Sequence, residues 1–384
     1  MRDNNLQAKL EHEFKWFHAH PELSYKEYET TKQIRRLLTD AGIEILDVPL
    51  DTGLVGIIRG GFPGPVIALR SDIDALPVGE QTDLDYKSQH DGQMHACGHD
   101  FHITALYGAA LLLKQREKEL HGTIKLLFQP AEESSLGAAG VIKTGVLDDV
   151  QAVFGIHASP RYPVGTIAIK KGSLTSSVDR FEITLKGVGT HGAKPHEGAD
   201  PIVAAGALIG TLQTITSRNL DPLAPGLLSI THLRAGNTWN VIPETSYMEG
   251  TVRTLSKDDR ALYEKRLREI AQFTAKAYGV TADVQWHAGP PAMDNDPVWT
   301  DFTIEAAKQS GLDVQICGSS MLGEDFAFYE ETIKGAFAWV GTGLSYPNHH
   351  PKFQVDPAAL SGTAAFLSRL GESALLKLQP EAQQ

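Results

Sequence analysis

Apolar residues recur every three or four positions at Leu6, Leu10, Phe14 and Phe17, the interval that keeps them on one face of a helix. The same spacing returns at Tyr28, Ile34, Leu37, Leu38 and Ala41 and stops at Gly42, so two amphipathic helices are expected to open the chain. Strand-like apolar runs follow at 54–59 and 66–70, then a long helical stretch at 103–118, then further strand-like runs at 123–129 and 152–157. Strands alternating with helices predict a mostly buried, largely parallel sheet.

From about Asp179 the rhythm changes to strand 181–186, helix 201–217, strands 227–233 and 247–255, helix 258–278 and strand 281–287. That βαββαβ order is complete in itself, which predicts an inserted domain with Pro290 and Pro291 at its exit. Helix–strand alternation then resumes at 298–309, 313–317, 336–341 and 357–376. The expected fold class is α/β, a mixed, largely parallel sheet flanked by helices with an inserted βαββαβ domain. Its expected division is 1–178 and 291–384 for the sheet domain and 179–290 for the insertion.

Composition narrows the function classes. With 35 basic and 47 acidic residues the 384-residue chain carries a formal charge of −12, which argues against nucleic acid as a partner. No apolar run approaches the ~18 residues of a membrane span, and the first residues have no signal-peptide apolar core, so a cytoplasmic address is expected and no membrane partner. Cys97 and Cys317 are the two cysteines. No disulfide framework is needed, and a reduced compartment fits. Cys317 reads as a structural residue near a strand end, whereas Cys97 sits among histidines.

Metal-ligating and acidic side chains collect just after predicted strands: Asp72 and Asp74, then His95, Cys97, His99 and His102, then Glu132 and Glu133, then His157, then His349 and His350. Ligands of open α/β sheets gather at the carboxyl ends of strands. A thiolate and an imidazole two residues apart in a glycine-containing turn, Cys97-Gly98-His99, can meet one metal. Glu132 and Glu133 follow a strand, so extended backbone would turn one carboxylate to a metal and the other to water or substrate. Of His349 and His350 at most one is expected to face a metal. One thiolate, three imidazoles and one carboxylate exceed the needs of a single tetrahedral site and suggest two metals with a shared ligand. The inserted segment has its own polar loops, 187–196 with His191 and 236–243 with Asn240, which suit either a lid over substrate or two tight hairpin connections.

In order along the chain, HAHPELS (18–24), RSDIDALP (70–77), MHACGH (94–99), PAEE (130–133), GIH (155–157), THGAKPH (190–196), NVIP (240–243) and GEDF (323–326) resemble the aminoacylase and carboxypeptidase metallohydrolase family. More narrowly they resemble its branch of auxin-conjugate hydrolases, hippurate hydrolases and N-acyl-amino-acid deacetylases. The resemblance implies a zinc-peptidase-like sheet domain, a ferredoxin-like lid that can carry a homodimer contact, and two divalent ions per chain: zinc, manganese, cobalt or nickel. Carried over residue by residue, it implies Cys97, His99, Glu133, His157 and His349 as metal ligands, Cys97 as the bridge and Glu132 as the general base. His349 is preferred to His350 because Pro351 and Phe353 complete the family's His-x-Pro-x-Phe segment. It further implies His191 as a donor to the developing oxyanion, Asn240 and Arg253 as contacts to a substrate carboxylate, and Asp72 and Asp74 as groups that orient the ligands; Glu324 and Asp325 receive no role. The implied substrate is a small molecule, an N-acyl-L-amino acid. A dipeptidase or carboxypeptidase of the same chemistry is the alternative, and a non-enzymatic metal-binding protein a more distant one.

Overall fold

The fold is that of a computed structural model describing residues 4–379. Helices α1 (Asn4–Ala19) and α2 (Tyr28–Asp40) come first. The first turn of α2 is held by the Glu22 carboxylate, which accepts from the backbone of Glu29 and Thr30 and so satisfies donors that a helix start leaves open. Gly42, at φ +69°, ends the run. Strands β1 (Glu44–Ile45), β2 (Leu54–Arg59) and β3 (Phe62–Asp72) lead to α3 (His99–Gln115), β4 (His121–Gln129), β5 (Ala152–Ser159) and β6 (Thr166–Ile169).

The chain then forms β7 (Asp179–Lys186), α4 (Pro201–Leu212), β8 (Gly226–Ala235), β9 (Thr245–Thr254), α5 (Lys257–Ala277) and β10 (Thr281–Ala288). It finishes with α6 (Pro297–Gln309), β11 (Asp313–Ile316), β12 (Gly335–Gly341) and α7 (Leu360–Leu378). Two compact units result, one from residues up to 174, 294–318 and 325 onward, the other from 175–293 and 319–324.

The first unit holds an eight-stranded sheet in the order β1-β2-β4-β3-β5-β12-β6-β11. Its centre is parallel, β4 with β3, β3 with β5 and β5 with β12, as the strand–helix alternation predicts. Every residue of β5 is buried, the mark of a strand covered on both faces. Helix α3 begins at His99 and not near 103. It is buried almost all round, so no apolar stripe marks its start in the sequence.

In the second unit β8, β9, β7 and β10 form an antiparallel sheet in that order. Phe181, Ile183, Leu185, Met248 and Val252 belong to one buried cluster with Leu208, Leu212, Tyr263 and Leu267 of the two helices. Side-chain caps fix both helix starts: Asp200 accepts from Ile202 and Val203, with Pro201 following, and Ser256 accepts from Asp259. The regular part of the helix expected over 201–217 ends at Leu212 and is followed by a wider turn, Ile215–Asn219. Among the described residues no helix is long and apolar enough to cross a membrane.

Candidate metal centre

The parallel strands of the first unit deliver their last residues to one place. β3 ends at Asp72, β4 runs into Pro130, β5 carries His157, and α3 starts at His99. Gly98 makes that start possible. It has φ +89°, and a Cβ there would stand 2.8 Å from the Ala158 methyl, so the Cys97–His99 turn packs backbone-close against the residue after His157.

Glu132 and Glu133 depart from expectation in their backbone. They lie in a tight 3₁₀ turn, Glu132–Ser134, not in extended chain, and left-handed residues bracket it, Ala131 (φ +59°) and Ser135 (φ +62°). Consecutive side chains of such a turn still diverge, by about a third of a revolution. His349 is likewise left-handed, at φ +67°. Non-glycine residues in this region are uncommon, and three of the four in the described chain border this cluster.

The donor atoms converge. Cys97 Sγ lies 3.3 Å from His157 Nε2 and 3.3 Å from His349 Nε2. His349 Nε2 is 3.4 Å from Glu133 Oε1, and His99 Nε2 is 3.9 Å from the same oxygen. His350 stays outside, stacked on Tyr346 at 4.4 Å. Asp74 places its carboxylate on His99 Nδ1 at 3.3 Å and accepts from the backbone N–H groups of Glu132 and Glu133, so one side chain orients both the imidazole and the acidic turn. Asp72 reaches His102 Nδ1 at 2.5 Å and lies 3.6 Å from His99 Nε2.

The proton inventory suits cations. His157 Nδ1 faces the Ala158 carbonyl oxygen at 2.8 Å and His99 Nδ1 faces Asp74, so both rings can keep a proton there and turn Nε2 to the cluster, where an ion can replace any second proton. A single thiol proton on Cys97 could serve at most one of its two imidazole neighbours. His99 Nε2 and Glu133 Oε1 are buried with no hydrogen-bond partner, a costly state that a divalent ion at their convergence would relieve. Electrostatics agree: burial presses the His99 imidazole down, but Asp72, Asp74 and Glu133 outweigh it and push its pKa up to about 10. Burial, with Glu133, Glu132 and Asp72 nearby, pushes the Cys97 thiol up, so a thiolate here calls for bound positive charge. The residues therefore fit a metal pair.

Three residues to which the sequence reading gave no role, His102, Arg70 and Asp325, are packed around the cluster. His102 has both ring nitrogens engaged, Nδ1 on Asp72 and Nε2 accepting from the Ala158 N–H at 2.7 Å, so it cannot also offer a lone pair to a metal. Its position three residues into the helix from His99, on the same face, was the available signal. Arg70 is fully buried and ties Gln129, Asp72 and Asp325 together. Burial pushes the Asp325 carboxyl up to about 6, against the pull of Arg70.

Beneath α3, buried His18 bridges Asp100 (2.7 Å) and Glu80 (3.2 Å). Burial opposes its charge, but the two carboxylates prevail and raise its pKa from 6.5 to about 9. A raised folded-state pKa gives stability that is complete below the unfolded value of 6.5 and is lost as pH climbs through about 9. The shift corresponds to roughly 3 kcal/mol. His18→Gln is therefore expected to lower the urea midpoint strongly at pH 6 and much less at pH 10; a deficit that does not change with pH would refute the charged pairing.

His191, Asn240 and Arg253 all lie in the second unit. His191 pairs with Val241 in a short ladder, and Asn240 accepts from the Gly192 N–H at 2.7 Å, so the two loops form one structure. His191 Nδ1 accepts from the Ala193 N–H at 3.0 Å, which puts the ring proton on exposed Nε2. Arg253 is partly buried, and among the described residues its guanidinium has no hydrogen-bond or ion-pair partner; burial lowers its pKa.

A family profile described as Peptidase family M20/M25/M40 matches residues 68–373. N-acetylcysteine deacetylase of Bacillus subtilis (strain 168) is 47% identical over 371 residues, covering 96% of this chain and 98% of that protein. Thermostable carboxypeptidase 1 of Saccharolobus solfataricus is 40% identical over 353 residues, 89% of each chain. The solved structure of the Bacillus subtilis YXEP protein, described as a dinuclear metal binding peptidase from the M20 family, matches with a TM-score of 0.89 at 45% identity, covering 97% of this chain and 99% of that one.

Proposed function

The chain belongs to peptidase family M20/M25/M40, and from that premise we propose that it cleaves the amide bond of N-acyl-L-amino acids, with acetyl as the favoured acyl group. It is a metal-dependent hydrolase of linear amides. The observation that carries the proposal is the convergence of Cys97, His99, Glu133, His157 and His349 beside a further carboxylate, Glu132, in the same turn.

These five residues would hold two divalent ions, with Cys97 shared because its sulfur stands between two imidazoles. When bound, the ions supply Lewis acidity toward the acyl carbonyl and lower the pKa of water. Glu132 takes a proton from the attacking water and returns it to the departing amine; water and amide become carboxylic acid and amine, which after the acid's proton passes to the amine leave as carboxylate and ammonium. Asp74 holds the His99 imidazole with Nε2 toward the cluster, and Asp72 holds His102, whose Nε2 accepts the Ala158 N–H beside His157. From the second unit, the His191 Nε2–H suits a donor to the tetrahedral oxyanion. Arg253 and Asn240 suit the substrate carboxylate, an unpaired guanidinium being well matched to that anion.

The 47% identity to N-acetylcysteine deacetylase supports acetyl. The 40% identity to a carboxypeptidase favours a second reading, cleavage of peptides at the carboxyl end. Metal-replete enzyme offered N-acetyl, N-benzoyl and indole-acetyl amino acids beside unmodified dipeptides is expected to release amine chiefly from the N-acetyl series, and to stop when chelated. Release from dipeptides alone would transfer the protein to the second reading.

A further inference from the structure

The network around Arg70 contains more than the proposed reaction uses. The Arg70 side chain is wholly buried, and its three nitrogens each donate at 2.8 Å: Nε to Gln129, Nη1 to Asp72 and Nη2 to Asp325. Asp325, also wholly buried, accepts from Arg70, from the Gln129 amide at 2.9 Å and from the Ala138 N–H at 2.8 Å. Its own backbone N–H points at Glu132 Oε1, 3.3 Å away. Asp325 is the first residue of the first unit after the chain returns from 319–324.

We propose that Asp325, pinned by Arg70, is a positioning residue that fixes the carboxylate of Glu132. The inference rests on Glu132 acting as the base. A buried ion pair is poor value for stability, since well-packed apolar side chains often serve as well or better; what this one supplies is a fixed direction. With its carboxylate held by donors from three elements, the backbone of Asp325 cannot turn its N–H away, and one oxygen of Glu132 stays engaged. Through its second arm Arg70 ties this arrangement to Asp72 and thence to His102, whose Nε2 accepts the Ala158 N–H next to His157.

The test is a double-mutant cycle in the metal-loaded enzyme on an N-acetyl amino acid. Asp325→Asn sets an amide N–H₂ against the Gln129 and Ala138 donors while keeping size. It is expected to retain two metals and KM within about threefold, and to lose roughly 10- to 100-fold in kcat, the scale of a small misplacement of a reacting group. In a Glu132→Gln background the same substitution should cost no more than about threefold further, because it acts through the group already removed. Losses that multiply in full, or an Asp325→Asn enzyme with wild-type kcat, would overturn the positioning role. A Glu132→Gln enzyme as fast as wild type would instead overturn the base assignment itself, and the proposal with it. Should Asp325→Asn fail to fold, Arg70→Lys, whose single ammonium cannot span Asp72 and Asp325 together, takes its place in the cycle with the same expectations.

Discussion

Glu132→Gln is expected to bind two divalent ions per chain as the native protein does and to turn over roughly 10²- to 10⁴-fold more slowly, the range a positioned general base contributes. Size and shape are preserved, so the tight turn between Ala131 and Ser135 should survive, and the substituted side chain still offers an oxygen to the Asp325 N–H. Metal binding is spared because it is assigned to Glu133, His99 and the groups around Cys97. What disappears is the capacity to accept a proton from water and hand it to the amine. The checks are metal content by mass spectrometry and kcat on the best acyl-amino acid substrate. A variant within about threefold of wild type would remove Glu132 from the mechanism, and loss of metal would recast it as a ligand.

The contrast between Glu132 and Glu133 shows what the sequence could and could not supply. Their position after a strand was legible from β-like residues ending at Pro130, and the sheet's parallel centre followed from alternating strands and helices. Their backbone was not. The left-handed conformations at Ala131 and Ser135 belong to residue types with no preference for that region and are imposed by the packing around them. The same holds for α3, where burial on all sides erased the periodicity that would have marked its start at His99. The Arg70 network lay further still from view. Arg70 and Asp325 are 255 positions apart, and Gln129 is an ordinary strand residue until the fold brings it between them. Ligand types clustered at strand ends announce a centre; the donors that hold a second carboxylate in line appear only in three dimensions.

The second large effect concerns Cys97. Its sulfur lies 3.3 Å from each of two imidazoles that do not otherwise share a partner, so Cys97→Ser removes a donor on which both halves of the cluster depend. A serine hydroxyl in this buried, acid-lined position will not ionise to replace a thiolate, since burial and the neighbouring carboxylates already push the far more acidic thiol up. Metal content should therefore fall from two ions per chain to one or none, and turnover by roughly 10³-fold or more, most of what metal assistance supplies. Added metal should also raise the melting temperature less than it does in the native protein, because an ion stabilises the fold only in proportion to its binding. His350→Ala is the matched control: His350 is half-buried and stacked on Tyr346 outside the cluster, so both ions and the native rate should remain. If Cys97→Ser keeps two ions and its thermal response to metal, the sulfur is not shared, and the two ions must be held by nitrogen and carboxylate donors alone.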